Sequence, residues 1–238
     1  MVRRGCIAII PARGGSKRIK GKNIIDFYGR PMIAWSIQAA QKSGLFKRIL
    51  VSTDDSLIAE VAIKYGVEVP FLRTKCTDDY STVSQATIFA LQQAEDFWDE
   101  KYEFVVQLMA NCPLRTEEDI LAAWNYFRQY NLNFQISCFR YGWMNPWWAV
   151  RLNDDFVPSK LFPDTGEKRS QDLDVLYCPT GAIWIANCKK LCESGTFYGL
   201  GYRMFPMDWK RAVDIDNYDD LEFAKILYEQ LASRNKKC

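Results

Sequence analysis

The 238-residue sequence predicts an α/β protein with a mostly parallel sheet and helices on both faces, plus a small β-hairpin arm. Three observations carry that prediction. Apolar runs of strand length alternate with helical periodicity through the first 140 residues, giving four βα units in a row. The polar residues with the most obvious chemistry follow those runs directly, at the strand ends where such sheets bind ligands. Hydrophobic residues make up 48% of the chain, enough for a sizeable core and too many for global disorder.

The elements follow in order. Cys6 to Ile10 is an unbroken apolar run and forms the first strand. Pro31 opens a helix to about Lys42, with Ile33, Ile37 and Ala40 on one stripe, and Gly44 stops it. Arg48 to Ser52 reads as a buried strand ending at Thr53-Asp54-Asp55. A helix from about Ser56 to Tyr65 stops at Gly66, and Val67 to Phe71 reads as a short strand. A long helix spans about Val83 to Phe97, with Val83, Ala86, Ala90, Ala94 and Phe97 on one side. Phe104 to Leu108 is a strand. Thr116 caps the next helix, whose first turn holds Glu117, Glu118 and Asp119, where the helix dipole favours acids. Gln135 to Phe139 is a strand. The rhythm breaks from about Arg140 to Asp174. There Trp143, Trp147 and Trp148 crowd with Pro146, Pro158 and Pro163, and alternation over Trp147 to Leu152 suggests a hairpin or extended arm. An exposed aromatic arm predicts a homo-oligomer contact, against the alternative of a hairpin folded back on its own domain. The pattern resumes with strands at Ala182 to Ile185 and Arg203 to Phe205. A final helix from about Asn217 carries Leu221, Ala224, Tyr228 and Leu231 on its buried stripe. The expectation is one domain over 1–238 with 140–174 as an inserted arm.

Between the first strand and the first helix lies Pro11-Ala12-Arg13-Gly14-Gly15-Ser16-Lys17-Arg18-Ile19-Lys20-Gly21-Lys22-Asn23. This loop carries five cations and no acid. Adjacent glycines let backbone N–H groups turn toward a ligand, and the cations supply charge. The combination points to a polyphosphate; the competing reading is a solvated basic loop. It is not a P-loop, since five residues separate Gly15 from Gly21 and Asn23 replaces the magnesium-binding hydroxyl. The dinucleotide fingerprint is absent as well.

Composition excludes several classes. A net charge of +2, with the positive density in one loop, favours a small anion over nucleic acid. No apolar run approaches membrane-spanning length, and a first strand beginning at Cys6 leaves no room for a targeting segment, so the expectation is a cytoplasmic protein. The eight cysteines are scattered without a C-x-x-C pair, which fits reduced thiols and not zinc. The chain has no histidine. That removes Ser-His-Asp and Cys-His mechanisms and His-ligated metals, and leaves acid–base chemistry to carboxylates, lysines, tyrosines, cysteines or a metal-bound oxygen; a hard cation on carboxylates fits best, with magnesium the default beside phosphates. Asp214 and Asp216, two residues apart in an extended segment, aim at one side and repel unless a cation lies between them. Helix capping is the alternative there, and it is the reading for Asp219 and Asp220, with Asn217 and Asp220 forming a variant capping box.

Together these segments resemble the N-acylneuraminate cytidylyltransferases over nearly the full length. The resemblance rests on Ile10 to Lys17 with Lys22-Asn23, on Val51 to Asp55, Pro70 to Arg73, Cys112 to Arg115, Arg169 to Leu173, Gly181 to Ile183, and on Asp214 to Asp216 with Asp219 to Leu221. It implies a Rossmann-like fold, Mg2+, a homodimer joined through the arm, and transfer of CMP from CTP to a nine-carbon 2-keto acid sugar with release of pyrophosphate. It also implies roles. Ala12, Arg13, Gly14, Gly15, Ser16, Lys17, Lys22 and Asn23 would hold the nucleotide, with Arg13 and Lys17 at the reacting phosphates. Arg73 with Ser81 or Thr82 would line the cytidine pocket. Asp214 and Asp216 would bind magnesium, and Asp214 with that cation would ease the proton from the attacking hydroxyl. Gln107, Arg169, Gln171, Thr180 and Trp184 would lie on the sugar side. The chain departs from the family pattern at Met109, where a glutamine is usual, at Thr180, where an asparagine is usual, and at Trp184, where a tyrosine is usual. Those departures bear on which sugar is used: sialic, legionaminic or pseudaminic acid. An eight-carbon 3-deoxy-octulosonate and a catalytically silent nucleotide-binding role are the alternatives.

Overall fold

In β1 (Cys6–Pro11) the side chains of Cys6, Ala8 and Ile10 join one apolar cluster and those of Ile7 and Ile9 another, so the strand is buried on both faces. The computed structural model describes residues 5–163 and 168–235. After β1 come α1 (Met32–Ser43), β2 (Arg48–Ser52), α2 (Ser56–Lys64), α3 (Val83–Trp98), β3 (Phe104–Gln107), α4 (Glu117–Gln129) and β4 (Phe134–Arg140). Then follow β5 (Val150–Leu152), β6 (Pro158–Lys160), β7 (Tyr177–Asn187), α5 (Cys188–Ser194), β8 (Arg203–Pro206) and α6 (Tyr218–Asn235). Six strands form one sheet in the order β2-β1-β3-β7-β4-β8. The pairs β1/β2, β1/β3 and β4/β8 are parallel, and β7 runs antiparallel to both β3 and β4.

The helices divide between the faces as their stripes require. Ile33 and Ile37 of α1, Ile58 and Ala62 of α2, and Ile120, Trp124 and Phe127 of α4 pack with Ala8, Ile10 and Val106 on one face. Ala90, Leu91 and Ala94 of α3 and Leu191 of α5 pack with Ile7, Ile9 and Val105 on the other. Caps begin the helices where the sequence marks them. Asp55 accepts from the N–H groups of Leu57 and Ile58, Thr82 and Gln85 form a capping box on α3, and Thr116 and Asp119 form another on α4.

A third cluster lies apart from these two. Ile19 of the basic loop, Phe27 after it, Met32, Leu114, Ile215, and Leu221, Ala224 and Leu227 of α6 bury one another. It holds the loop after β1 against the acidic segment near the other end of the chain.

Two elements differ from the sequence reading. Val67 to Phe71 is not a strand of the sheet. Only Glu68 bridges to Leu50, beside the edge strand β2, and Pro70 has no N–H to continue the ladder. The strand expected at Ala182 to Ile185 is eleven residues long and reversed in direction. The predicted hairpin is present as an antiparallel β5/β6 pair in a sheet of its own, with all six residues exposed. Part of the expected arm, 164–167, lies outside the described residues. Among the described residues no helix is long and apolar enough to cross a membrane, and the seven cysteines are free thiols.

At the amino end of the sheet, Glu100 accepts from Arg48 Nη2 at 3.0 Å and from the Tyr102 hydroxyl at 2.7 Å, with Lys47 Nζ at 3.1 Å. The Arg48 hydrogen bond, with help from Tyr102 and Lys47, outweighs burial and holds the Glu100 carboxyl down at about 2. A depressed carboxyl stabilises the fold above its unfolded-state value, near 4.5, and that contribution is lost as pH falls toward 2. Discounted for solvent, Glu100→Gln is expected to cost about 1 kcal/mol at neutral pH. Thermal melts of both proteins should converge below pH 4.5; a gap that stays constant down to acid removes Glu100 from the acid response.

Candidate active site

The basic loop is tied down from beneath. Ala12 N–H donates to Ser52 O at 2.9 Å, extending the β1/β2 pairing, and Gly14 N–H donates to Asp54 Oδ1 at 2.9 Å. A Cβ on Gly14 would lie 2.5 Å from Asp55 Oδ2 and 2.8 Å from Asp55 Cβ, so glycine is required there for close approach. Gly21, with φ of 64°, starts a short 3-10 turn over Lys22–Ile24. Buried Asn23 donates from Nδ2 to Arg13 O at 2.9 Å, closing the loop on itself. Gly14→Ala is therefore expected to shift the loop and to weaken triphosphate binding by about tenfold or more, since small misplacements of such groups are costly. Unchanged binding in a titration calorimeter would show that the loop position does not matter.

Above the loop is a cavity of about 350 Å³, lined by Arg13, Ser16, Lys17, Arg18, Lys22 and Asn23 on the loop side, with Pro11, Asp79, Met109 and Asn111. Its cations are all paired. Arg13 Nη2 meets Asp79 Oδ1 at 2.8 Å and Lys17 Nζ meets Asp79 Oδ2 at 2.5 Å. Arg18 and Lys22 each reach Asp216 at 2.7 Å, the former across 198 residues of sequence.

The acidic segment adjoins the cavity through its lining residues Asn111, Arg18 and Lys22. Ile215 is fully buried in the third cluster and its N–H donates to Asn111 O at 3.0 Å, which leaves Asp214 and Asp216 on the open side. Asn111 Nδ2 donates to Asp214 Oδ1, to Ile215 O at 3.0 Å and, more distantly, to Asp216 Oδ1 at 3.4 Å, so three oxygens converge on one amide nitrogen. Asp220 accepts from the N–H groups of Asp216 and Asn217, and Asn217 accepts from Asp220 N–H: the capping box read from the sequence. Asp214 opens to solvent yet is crowded by protein on its other sides. That desolvation, with the charge of Asp216, pushes its carboxyl up to about 6. Burial also pushes Asp216 up, but the combined hydrogen bonds and charges of Lys22 and Arg18 outweigh it and leave the group below its usual value.

Among the described residues no group of three or more carboxylate or thiol side chains gathers to cage a metal. Two converging carboxylates, one of them destabilised as an anion, still fit an ion that takes its other ligands from phosphates and water, as magnesium does. Asp214 Oδ2, which Asn111 does not use, and Asp216 are the atoms and residue that could hold it.

The remaining residues predicted from sequence are placed as follows. Arg73 is buried beneath the loop and donates from Nη1 to Ser52 O at 3.2 Å. Ser81 donates to Asp78 and Thr82 caps α3; neither lines the cavity. Thr180 is buried and donates to Ala212 O at 2.8 Å, tying β7 to the acidic segment, and its own carbonyl accepts from Trp184 Nε1 at 2.8 Å. Gln107 is fully buried with Nε2 3.5 Å from Gly181 O, while Met109, two residues on, faces the cavity. A Cβ on Gly181 would sit 2.6 Å from Met109 Cγ and 3.4 Å from Asp214 Oδ2, so that glycine lets Met109 lie beside the acid. Arg169 is exposed and pairs with Asp172 at 2.8 Å, and exposed Gln171 lies beside it; both are on the arm, away from the cavity lining. Asp79 is a site residue that the sequence did not mark, since its role depends on the fold bringing it to Arg13 and Lys17.

A cavity lined by cations, with two carboxylates beside it on Asn111, Arg18 and Lys22, suits group transfer between two bound substrates, one of them a nucleotide. Residues 7–140 match the Cytidylyltransferase family. The chain is 38% identical over 226 residues to the pseudaminic acid cytidylyltransferase of Campylobacter jejuni serotype O:23/36, covering 94% of this chain and 96% of that protein. It is 32% identical to the CMP-N,N'-diacetyllegionaminic acid synthase of Legionella pneumophila, with 94% and 96% covered. It is also 32% identical to the N-acylneuraminate cytidylyltransferase of Streptococcus agalactiae serotype V, where it covers 90% of itself and 51% of that longer protein. The solved structure of CMP:2-keto-3-deoxy-manno-octonic acid synthetase complexed with CTP shares the fold, with a TM-score of 0.69 at 17% identity over 95% of this chain and 99% of that one. The chain belongs to the cytidylyltransferase family, in its CMP-nonulosonic acid synthetase branch, and is a nucleotidyltransferase.

Proposed function

We propose that the enzyme transfers CMP from CTP to the anomeric hydroxyl of pseudaminic acid and releases pyrophosphate. One observation carries the reaction: Arg13, Lys17 and Lys22 line the same cavity as Asn111, whose amide gathers Asp214 and Asp216. The choice of sugar is supported by the 38% identity to pseudaminic acid cytidylyltransferase, against 32% to the legionaminic and sialic acid relatives.

In this reading the loop from Ala12 to Ser16 with Arg13, Lys17 and Lys22 cradles the triphosphate, Lys17 facing the α-phosphate, and Asn23 keeps the loop closed. Arg73, Ser81 and Thr82 serve the cytidine side. The anomeric hydroxyl attacks the α-phosphorus, the bond from that phosphorus to the α,β-bridging oxygen breaks, and pyrophosphate leaves. Positioning and charge neutralisation are the work required of the protein. Asp214 faces the attacking hydroxyl and lowers the cost of its losing a proton. Asp214 and Asp216 would hold Mg2+, which when bound neutralises charge on the phosphates. Thr180, Trp184 and Gln107 shape the sugar side behind Met109, and Arg169 and Gln171 approach it from the arm.

The arm supports a homodimer. Trp143, Met144, Phe156, Val157 and Leu152 are each more than half exposed there, an apolar surface suited to a second copy. Light scattering should return the mass of two chains. Free cysteines support a reducing, cytoplasmic setting.

The test is pyrophosphate release from CTP with magnesium across pseudaminic, legionaminic and N-acetylneuraminic acids and the eight-carbon acid. Highest kcat/KM with pseudaminic acid is expected. Preference for another nine-carbon sugar would overturn the substrate but keep the reaction; no release with any, despite CTP binding, would overturn both.

A further inference from the structure

The acid that pairs with the phosphate-binding cations is built into the fold. Asp78 Oδ1 accepts from the N–H groups of Tyr80 and Ser81, both at 2.7 Å, and its Oδ2 accepts from Ser81 Oγ at 2.9 Å. Thr82 and Gln85 then lock the start of α3. The turn so fixed presents Asp79 to the basic loop, while Asp78 O accepts from Arg13 Nη1 at 2.7 Å. The two oxygens of Asp79 span Arg13 and Lys17 at 2.8 and 2.5 Å, as two oxygens of one phosphate would. Asp79 lines the cavity itself, and its hydrogen bonds to Lys17 and Arg13 hold its carboxyl below the usual range, so it is an anion at neutral pH. Asp216, which is not among the lining residues, is turned to Arg18 and Lys22.

We propose that Asp79 is an internal competitor for the phosphates: it occupies Arg13 and Lys17 in the empty enzyme, yields them to the triphosphate of CTP, and takes them back as pyrophosphate departs. This deepens the reaction proposed above and rests on Arg13 and Lys17 binding the triphosphate. The physical basis is a population argument. Only the fraction of molecules with the cations released is ready to bind, so apparent affinity falls by that fraction for substrate and product alike. The benefit falls on release, because a tethered carboxylate displaces a product that would otherwise remain on two cations. Surface ion pairs of this kind are weak, which sets the effect at several-fold and lets the fold tolerate the change.

The experiment uses full-length enzyme and inorganic pyrophosphate as the probe. Asp79→Asn keeps the shape and removes the charge. It should bind pyrophosphate and CTP about three- to tenfold more tightly by calorimetry, lower the inhibition constant of pyrophosphate to match, and leave KM for the sugar unchanged. Asp79→Ala should behave alike, and Asp79→Glu should stay near wild type. Pyrophosphate affinity that is unchanged or weaker in both Asn and Ala variants, each folded by circular dichroism, overturns the proposal. Lys17→Ala separates the two readings. If Lys17→Ala weakens pyrophosphate while Asp79→Asn does not strengthen it, only the role of Asp79 falls. If Lys17→Ala has no effect, the triphosphate assignment falls and the role of Asp79 with it.

Discussion

Asp214→Ala is expected to lower kcat/KM by about 10³-fold while leaving the thermal midpoint within a few degrees of wild type. The loss follows from charge. Asp214 stands on the open side of a buried anchor, Ile215, and its carboxylate is raised to about 6 because it is desolvated beside Asp216. A group kept in an unfavourable environment beside a like charge does nothing for the fold; removing it relieves repulsion and leaves Asp216 paired with Lys22 and Arg18. Asp214→Asn preserves shape without charge and should lose as much activity. Steady-state kinetics with saturating CTP and magnesium, beside circular dichroism, make the check. Activity within tenfold of wild type in either variant would remove Asp214 from the reaction.

The second large effect is expected at Lys17. Its side chain is 79% exposed and, among the described residues, pairs with Asp79, so Lys17→Ala should cost the fold under 1 kcal/mol. If it neutralises charge developing at the α-phosphate, kcat should drop by about 10² to 10³-fold, with a smaller rise in KM for CTP. Lys17→Arg, which keeps the charge but alters its reach, should recover part of the rate. A variant whose whole defect lies in KM would make Lys17 a ground-state binding residue and move the assignment to Arg13 or Lys22.

Much of this fold could be read because its signals are local. The apolar run Cys6 to Ile10, the caps at Asp55, Thr82 and Thr116, and the capping box at Asn217 and Asp220 depend on neighbours within a few residues. What escaped is what periodicity cannot encode. Ala182 to Ile185 reads as a strand in either direction, and only its pairing with β3 and β4 reveals that it runs backward. Val67 to Phe71 has strand composition, but Pro70 at the sheet edge ends the ladder after one bridge. In the site, the loop cations and the Asp214, Asp216 spacing were visible, because charge and period two are written in consecutive residues. Asp79 and the bridging amide of Asn111 were not visible in those roles, since each acts through a partner brought near by the sheet.

The third apolar cluster sets the order in which the molecule fails. Ile19, Phe27, Ile215 and the inner face of α6 form a unit separate from the two cores flanking the sheet. A separate unit can open with a smaller free energy than global unfolding. Its opening releases the loop and the acidic segment from each other while the strands stay paired. Mild denaturant should therefore extinguish catalysis before it melts the sheet, and amides of α6 should exchange with deuterium sooner than those of β1 and β3.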